Sequence, residues 1–524
     1  MLVTEFLDLP AMLVPERRAL AFEGEQYSYA QLKERVNRLA DSLNRLGLEK
    51  GDRATILEVN CNEYVEACFA TTMVGGIFAP LNFRVKEEEL AYLVNKAEPK
   101  ILFVGSRYAD MVSSARPQLS SVKHFVIIDG KYEGMISYDE LIASGSPEEK
   151  TYAEVNDEDL AILMFTAGTT GFPKGVPQDH NAYSSYVLTN VNPPDPEAPV
   201  ETNVICMPLY HVAGIQALMA GVYGGRTIAL MRQFDEKEGF ETVQREKATR
   251  VMVVPTMLKR IIEYPDFDKY DLSSIRVITY GAAACPYEVL KGTIERFPGR
   301  ALINAFGGTE TSSTIATLRA EDQIITGKET EPEREKKLKR LATSIGLPLD
   351  DVEIQVRDEA GQALPTGKTG EIVARSPRIM KGYWRDEEKT KKAFTPDGWY
   401  RTGDMGYVDE EGYVYLSGRA DDLIVRGGEN IGPDEVESTL YSHPKVEEAA
   451  VIGVPDIEWG QQIRAIVRLK KGEKATEQEI IDFCRPRLAG FKRPVSVVFV
   501  DEELPKTSTG KVLRRVLREK YGRP

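Results

Sequence analysis

The loop from Thr166 to Gly175, TAGTTGFPKG, constrains this chain more than any other segment. It follows an apolar run, Ala161–Phe165, whose length and flanking turn residues predict a buried strand. Its glycines, threonines and Lys174 supply backbone N–H groups, hydroxyls and positive charge, which is the chemistry that wraps a polyphosphate. It is not a Walker loop, because that motif has Ser or Thr after its lysine, whereas Gly175 follows Lys174 here. A Gly/Thr-rich surface loop explains the same residues when they are taken alone, so the decision rests on other segments.

The composition of the chain excludes several classes of protein. Its 524 residues are enough for more than one domain. The formal net charge of −14 argues against a nucleic-acid partner, since a surface that follows phosphates should be basic. No apolar run is long enough to span a bilayer, and the N-terminal segment is a poor secretory signal. Five scattered cysteines without CxxC spacing predict reduced core thiols, which points to a cytoplasmic protein.

Helical and strand patterns alternate along the first 300 or so residues. The segment Tyr29–Leu48 has apolar residues at spacings of three and four, which predicts an amphipathic helix. Strands separated by helices indicate an α/β fold with parallel sheets covered on both faces. Short apolar runs predict those strands at Arg53–Val59, Ile101–Gly105, His124–Asp129, Arg250–Pro255 and Ile275–Gly281.

The character of the sequence changes twice after this part. The charged, weakly apolar segment Glu321–Lys339 predicts a solvated excursion, and a short β-rich unit follows it. The best domain boundary lies at Arg419–Asp422, beyond which the pattern has the size of a small helix-and-strand domain. Adjacent carboxylates at Asp421 and Asp422 are explained either as solvated turn residues or as a defined pivot.

Small and polar residues follow two of the later strands. The segment Tyr280–Pro286 places small residues where a flat ligand could approach the backbone. The segment Asn304–Glu310 offers Phe306 to stack on a purine, Thr309 to contact phosphate and Glu310 to hold magnesium. Farther along, Asp404 could accept ribose hydroxyl groups. Any one of these residues taken alone is an ordinary turn residue.

Together and in this order, the segments resemble the acyl-adenylate-forming superfamily, which contains acyl-CoA synthetases, adenylation domains of peptide synthetases and firefly-type luciferases. The resemblance covers nearly the whole chain. It implies an α/β fold with a large N-terminal domain, residues 1–420, of stacked mixed sheets flanked by helices plus a β-rich subdomain. A small mobile α+β C-terminal domain is implied for residues 421–524, with Asp421 at the hinge between them.

The resemblance also implies the ATP-binding residues. Glu310 is implied as the magnesium ligand, Asp404 as the ribose ligand and Arg419 as its partner. Lys511 is implied to span the substrate carboxylate and the α-phosphate during adenylation. At Phe306 the family usually has tyrosine, so ring stacking is kept here and a phenolic hydrogen bond is lost. The implied phosphate loop contains Thr166, Gly168, Thr169, Thr170, Gly171 and Lys174, and the adenine and α-phosphate wall contains Gly281, Ala282, Ala283, Asn304, Ala305, Phe306, Gly307 and Thr309.

The segment Pro208–Gly214, PLYHVAG, resembles the acyl-pocket motif of the family. The motif implies a place for His211 beside the acyl carbonyl, and the alternative is a core or capping histidine. No Asp or Glu occurs between positions 208 and 232, so a buried substrate ammonium would lack its counter-charge. This favours an apolar acid over an amino acid. Small residues at Ala283 and Ala305 leave room for a ring or chain, with Met252 as a further wall.

Coenzyme A is the implied acceptor of the acyl group. The chain ends soon after Lys511, so we expect no fused carrier domain. The positions that resemble the pantetheine channel and nucleotide site are Gly427, Gly428, Trp459, Phe491 and Arg493. Lys492 and Arg493 could bind the phosphates of coenzyme A, and a solvated basic turn is the alternative for these two.

The sequence thus predicts an AMP-forming acid–CoA ligase that uses ATP, magnesium and coenzyme A. Its substrate is expected to be a hydrophobic fatty, alicyclic or aromatic acid. Two other functions stay open at this point, a stand-alone adenylation enzyme that loads a separate carrier protein and a luciferase-like oxygenase. A homodimer is compatible with the resemblance, since family members often dimerise.

Overall fold

The structure of the protein is a computed structural model that describes residues 1–166, 173–283, 285–324, 328–426, 429–506 and 512–523. The strands within these ranges are β1 Arg18–Phe22, β2 Glu25–Ser28, β3 Arg53–Leu57, β4 Ile77–Pro80, β5 Ile101–Val104, β6 His124–Ile127, β7 Ile136–Ser137, β8 Leu160–Thr166, β9 Lys174–Asp179, β10 Thr202–Ile205, β11 Thr227–Leu230, β12 Arg250–Val253, β13 Val277–Gly281, β14 Ala301–Gly308, β15 Ser313–Leu318, β16 Ser344–Pro348, β17 Glu353–Arg357, β18 Gly370–Arg375, β19 Tyr400–Val408, β20 Val414–Arg419, β21 Ile424–Arg426, β22 Glu429–Ile431, β23 Val446–Asp456, β24 Gly460–Leu469 and β25 Ser496–Phe499.

Helices connect most of these strands. They are α1 Glu5–Leu13, α2 Tyr29–Arg45, α3 Asn62–Met73, α4 Glu87–Ala97, α5 Ala109–Ala115, α6 Tyr138–Ser144, α7 His180–Asn190, α8 Val212–Tyr223, α9 Glu236–Glu246, α10 Pro255–Ile262, α11 Tyr287–Arg296, α12 Ala320–Gln323, α13 Glu331–Thr343, α14 Glu387–Ala393, α15 Pro433–Tyr441, α16 Glu477–Cys484 and α17 Arg514–Tyr521.

The described strands form three sheets. The first has the order β7-β6-β5-β3-β4-β8-β9 and is parallel except where β9 runs antiparallel to β8. The second has the order β17-β18-β19-β20-β16-β15-β14-β13-β12-β10-β11-β1-β2. The third contains β22-β21-β24-β23, with β25 parallel to β24. This arrangement confirms the predicted α/β class with mixed sheets. The predicted β-rich unit forms one end of the second sheet, strands β17 to β20, and continues into the rest of that sheet through the pairing of β20 with β16.

The predicted amphipathic helix is α2, Tyr29–Arg45. It begins at a reciprocal cap in which the Gln31 backbone N–H donates to Ser28 Oγ and the Ser28 N–H donates to Gln31 Oε1. It ends before the predicted Leu48, because Gly47 takes a left-handed φ of +83° that no longer continues the helix.

One strand prediction needs correction at its boundary, and the predicted solvated segment takes a helical form. The strand predicted to reach Pro255 ends at Val253, because Pro255 opens α10 in the first helical turn, where its missing N–H costs nothing. The segment Glu321–Lys339, predicted as a solvated excursion, is largely helical among its described residues. Thr330 and Glu333 form a capping box that starts α13, whose first turns are exposed.

The cysteines agree with the prediction of core thiols. All five are free thiols, and four of them are buried. Among the described helices, none is both long enough and apolar enough to cross a bilayer.

Candidate active site

The predicted phosphate loop connects β8 to β9. These two strands pair antiparallel, with Thr166 opposite Lys174 and Phe165 opposite Gly175. The hairpin therefore fixes both ends of the loop at one edge of the first sheet. Four of the predicted loop residues, Gly168, Thr169, Thr170 and Gly171, lie outside the described residues.

Tyr383 joins the lysine of this hairpin to the predicted magnesium ligand. Its hydroxyl donates a hydrogen bond of 3.0 Å to Glu310 Oε1. Its ring lies under the Lys174 ammonium, with Nζ 4.6 Å from the ring centroid. Burial raises the pKa of the Tyr383 hydroxyl, and the neighbouring Glu310 charge raises it further, so the phenol stays protonated and keeps donating. One side chain thus holds a cation and a carboxylate in fixed relation.

The turn that carries Thr309 and Glu310 is held from two other sides. Gln178 Nε2 on β9 donates to the Thr309 carbonyl oxygen at 2.8 Å, and Tyr183 donates to Gln178 Oε1. The Met380 backbone N–H donates to the Glu310 carbonyl oxygen at 2.9 Å. The backbone of this turn is therefore bonded to the hairpin and to the segment that leads to Tyr383.

The predicted adenine wall consists of neighbouring backbone segments of β13 and β14. Gly281 lies opposite Ala305 in a parallel pairing, and a Cβ atom at Gly281 would lie 2.2 Å from the Ala305 carbonyl oxygen. Only glycine allows this approach. Ala282 follows with a left-handed φ of +65°, and Ala283 is half-buried beside it.

The strand β14 leads into the predicted catalytic segment, Thr309 and Glu310, through a bulge. Its register with β15 shifts between Phe306 and Gly307, and Gly307 could not carry a Cβ because it would lie 1.8 Å from the Ser313 carbonyl oxygen. The Asn304 carbonyl oxygen accepts a bond of 2.9 Å from Thr317 Oγ1. The bulge changes the direction of the chain just before Thr309 and Glu310.

Asp404 and Arg419 face each other across β19 and β20. Arg419 Nη1 lies 3.0 Å from Asp404 Oδ1 and donates at the same distance to the Thr402 carbonyl oxygen. The structure therefore brings together the predicted ribose ligand and its predicted partner.

His211 is the N-cap residue of α8, without a capping hydrogen bond from its side chain. Burial lowers the pKa of its imidazole to about 4, and the charge of Arg84 lowers it further. His211 is therefore neutral at pH 7 and can accept or donate one hydrogen bond without adding charge to an apolar pocket.

Strand pairing places Met252 and Ala305 on one face of the second sheet. Met252 pairs with Thr279, which is two residues before Gly281, and Gly281 pairs with Ala305. Residues paired in register, or two apart on a strand, point to the same face. Ile205 also pairs with Met252, and it belongs to the same apolar core as the buried side of α8. Helix α8 therefore covers the face that carries the predicted acyl-pocket residues.

The opposite face of the same strands lines a separate apolar cavity of about 50 Å³ under α9 and α10. Val251 and Val253, on either side of Met252, both line this cavity, as does Ile278 of β13. The cavity and the predicted acyl pocket are thus separated by the sheet.

The predicted coenzyme A residues lie on the third sheet and the segments beside it. Trp459 and Phe491 are exposed, and Arg426 lies between them. Its guanidinium group lies 5.8 Å from the Trp459 ring and donates to the Phe491 carbonyl oxygen at 2.9 Å. Arg493 Nε donates to the Leu488 carbonyl oxygen at 2.9 Å. The predicted residues Gly427 and Gly428 lie outside the described ranges.

The predicted hinge is anchored by the last helix. Asp421 and Asp422 lie in a short 3₁₀ turn after β20. The Asp421 carbonyl oxygen accepts a bond of 3.3 Å from Arg518, and the Asp422 carboxylate pairs with both Arg514 and Arg518. Both arginines belong to α17, which follows the position of Lys511, itself outside the described part of the chain.

An ion pair whose arginine is fully buried lies behind the turn that carries Glu310. Arg378 is 0% exposed and makes two bonds to Asp351, of 2.6 and 2.8 Å. Asp351 also accepts a bond of 2.6 Å from Ser185 of α7, and Arg378 donates to the Thr314 carbonyl oxygen of β15. Sequence reasoning missed Arg378, Tyr383 and Gln178, because their partners are far away in the chain.

Replacing Tyr383 with phenylalanine is expected to slow pyrophosphate release about tenfold. The ring under Lys174 is kept, while Glu310 loses one hydrogen bond, and a bond to a charged group is worth about 1.5–3 kcal/mol. The control is Tyr132→Phe, which removes an exposed hydroxyl bond to Asp110 far from this site. Equal rates in both variants would contradict a positioning role for Tyr383.

Two family models match most of the chain. The family described as AMP-binding enzyme matches residues 10–384, and the AMP-binding enzyme C-terminal domain matches residues 435–511. The indoleacetate–CoA ligase of Aromatoleum aromaticum is 31% identical over 99% of this chain and 98% of its own length. The mitochondrial medium-chain acyl-CoA ligase ACSF2 of Rattus norvegicus is 33% identical over 99% of this chain and 87% of its own.

Solved structures show the same similarity. The crystal structure of ATP-bound MatB from Rhodopseudomonas palustris superimposes with a TM-score of 0.86. It is 30% identical to this chain and covers 100% of it and 99% of its own length.

Proposed function

Because this chain belongs to the family of AMP-binding enzymes, we propose that the residues around the β8–β9 hairpin and Glu310 carry out its adenylation step. The protein is an AMP-forming acid–CoA ligase that uses ATP and coenzyme A. Such an enzyme first joins a carboxylic acid to AMP and then transfers the acyl group to the thiol of coenzyme A. The contact of Tyr383 with both Lys174 and Glu310 is the observation that carries the proposal.

In this proposal Lys174 and the loop before it bind the β- and γ-phosphates, and Asp404 with Arg419 binds the ribose. The Glu310 carboxylate can supply one oxygen ligand to a metal ion. The hydrogen bonds from the Tyr383 hydroxyl and the Met380 backbone N–H hold Glu310 in place at the turn. This fits a magnesium ion that takes one or two protein carboxylates and completes its shell with phosphate oxygens. Magnesium would supply positive charge against the triphosphate.

Lys511 has the central role in the proposed first step. The substrate carboxylate is repelled by the α-phosphate that it must attack, and charge builds on that phosphate as the bond to pyrophosphate breaks. An ammonium group between the two offsets the repulsion and stabilises the charge that develops. Pyrophosphate leaves, and the carboxylate oxygen is then bonded to the phosphorus of AMP.

We propose a hydrophobic carboxylic acid as the substrate. The apolar helix α8 covers the sheet face of Met252 and Ala305 and carries no acidic residue, and His211 at its N-cap is neutral. A substrate with an ammonium group would therefore be buried without a counter-charge.

The free core thiols support a location of the protein in a reducing compartment such as the cytoplasm.

We further propose that residues 421–524 form a small domain that turns about Asp421 between the two steps. This rotation of the small domain would withdraw Lys511 after adenylation and present the face of Trp459 and Arg426 to the thiol of coenzyme A.

Replacing Asp421 with proline, which restricts the backbone at this position, is expected to slow thioester formation from supplied acyl-AMP several-fold more than adenylation. The control Asp421→Ala removes the same side chain and leaves the backbone free. If both variants slowed the two steps alike, Asp421 would not be a hinge.

The proposed substrate class is tested with fatty, alicyclic and aromatic acids, each supplied with ATP, magnesium and coenzyme A. We expect AMP and the acyl-CoA to form in equal amounts with at least one apolar acid. A phosphopantetheinylated carrier protein offered in place of coenzyme A tests the carrier-loading alternative, and oxygen uptake tests the oxygenase. The formation of ADP, or of no product with any acid, would contradict the proposal.

A further inference from the structure

A hydrogen bond joins the part of the chain before the predicted hinge to the part after it. Lys259 Nζ of α10 donates to the Glu447 backbone carbonyl oxygen at 2.9 Å. The two residues are 188 positions apart, and both are half-buried. Lys259 follows a strand of the second sheet and Glu447 belongs to the third sheet, so this contact bears on how the two parts of the chain are oriented.

The acceptor of this bond is a backbone bulge at the start of β23. Its neighbours Val446 and Glu448 pair with consecutive residues of β24, so Glu447 has no residue opposite it. The extra residue of a bulge is left out of the ladder, which leaves its carbonyl oxygen free to accept from another element. The bulge therefore provides an acceptor that the lysine of α10 uses.

The donor Lys259 lies close to the edge of the second sheet where the predicted adenine wall begins. Strands β12 and β13 are parallel and end at the same edge, with Gly281 of that wall as the last residue of β13. Helix α10 opens at Pro255, just after β12, and Lys259 comes four residues later, a rise of about 6 Å. Because long helical side chains lean toward the helix N-terminus, the contact with Glu447 lies near this edge.

The end of β23 that contacts α10 also holds the chain on both sides of Lys511. The carboxylate of Glu448, the residue after the bulge, pairs with Lys506. Lys506 in turn pairs with Val512 in an antiparallel bridge, and Lys511 is the residue before Val512 in the sequence. The described residues on either side of Lys511 are therefore tied to this end of the strand.

The opposite end of the β23–β24 hairpin carries the predicted coenzyme A residues. Gly460 of β24 pairs there with Arg426, and the neighbouring Trp459 is exposed. Strand β23 is 11 residues long, or about 35 Å, so the two ends of the hairpin are far apart. The bond from Lys259 therefore holds the Lys511 end of the hairpin against α10, with the Trp459 end far from that contact.

We propose that Lys259 is a positioning residue for adenylation, because its bond to the bulge at Glu447 favours the orientation in which the Lys511 end of the hairpin faces the nucleotide edge. The proposal rests on the proposed function, since it assigns this orientation to the first of two steps. Thioester formation requires the Trp459 end at that edge, so the bond breaks between the steps. Lys259 acts through the orientation of the proposed small domain and not on the reacting groups.

The test measures both half-reactions of Lys259→Met in the full-length protein, as pyrophosphate release and as thioester formation from supplied acyl-AMP. Loss of the bond lowers the share of molecules in the first orientation and raises the share in the second. The ratio of the second rate to the first therefore changes by the full factor, whatever the starting balance. Loss of a hydrogen bond from a half-buried charged group predicts a rise of about fivefold in this ratio.

Two further variants of α10 serve as controls. Lys259→Arg keeps a charged donor at this position, so it should restore most of the wild-type ratio. Arg260→Met removes the neighbouring charge, whose partner is Glu236 of α9, and it should leave the ratio unchanged. A purely structural role of Lys259 would lower both half-reactions together and leave their ratio as in the wild type.

A cross-link identifies the step that this orientation serves. The double variant Lys259→Cys with Glu447→Cys, joined by a short bismaleimide, is held in the orientation of this structure. It should still release pyrophosphate and should no longer form the thioester from supplied acyl-AMP. Each single variant, treated with the same reagent, should carry out both half-reactions.

The rate ratio and the cross-linked protein decide the matter. An unchanged ratio in Lys259→Met would overturn the inference, and so would a shift of the ratio toward adenylation. A cross-linked protein that forms the thioester but releases no pyrophosphate would also overturn it. In all these cases the wild type would still form AMP, which distinguishes them from a failure of the proposed function, in which no acid yields AMP.

Discussion

Replacing Lys511 with alanine is expected to lower the rate of pyrophosphate release by at least about 10²–10³-fold. The reason is that the variant lacks the positive charge that we propose to lie between the substrate carboxylate and the α-phosphate as the new bond forms. The same variant should form the thioester from supplied acyl-AMP at close to the wild-type rate, because the phosphorus chemistry is then complete. The two half-reactions are measured separately, as pyrophosphate release and as acyl-CoA formation.

The control for this experiment is Lys471→Ala, which removes an exposed lysine of the same small C-terminal unit. It should leave both half-reactions unchanged. An equal loss in the two half-reactions of Lys511→Ala would mean that this lysine supports folding or domain position and has no special part in adenylation.

Replacing Asp351 with alanine is expected to lower the free energy of unfolding by about 3–5 kcal/mol. The loss is large because Arg378 would keep its charge at a site with no exposure to water. Denaturation by urea, followed by fluorescence, measures the change. The exposed pair of Arg296 with Asp268 provides the control, since Asp268→Ala should cost no more than about 1 kcal/mol.

A double variant and a pH series sharpen this prediction. Asp351→Ala combined with Arg378→Met should be more stable than Asp351→Ala alone, because no unpaired charge is left. Burial by itself would raise the pKa of the Asp351 carboxyl, but the bonds from Arg378 and Ser185 hold that pKa below its ordinary value of 3.8. The stability it supplies is therefore present above about pH 4 and is lost as the pH falls through the lower folded pKa. If the wild type and Asp351→Ala differed equally at pH 7 and below that pKa, the pair would not be the cause.

The sequence was sufficient to predict elements whose signals are local. The capping residues Ser28 and Gln31 lie three apart, so the start of α2 is visible in one turn of chain. The loop after β8 was visible for the same reason, since glycine, threonine and lysine occur together within ten residues. The assignment of distant residues to one nucleotide site came from the resemblance to a known family.

The remaining contacts depend on long-range packing. Tyr383 meets Glu310 across 73 positions of sequence, and Gln178 meets Thr309 across 131. Neither tyrosine nor glutamine carries a local pattern that marks such a partner.

Strand β12 divides its side chains between two environments, with Met252 on one side and Val251 and Val253 on the other. Under the proposed function, a change at position 252 would therefore alter the size of acid that is accepted without disturbing the packing beneath α9 and α10. Divergent descendants of such a chain could exchange one carboxylic acid for another by single substitutions, while the stability of the scaffold stays under separate selection.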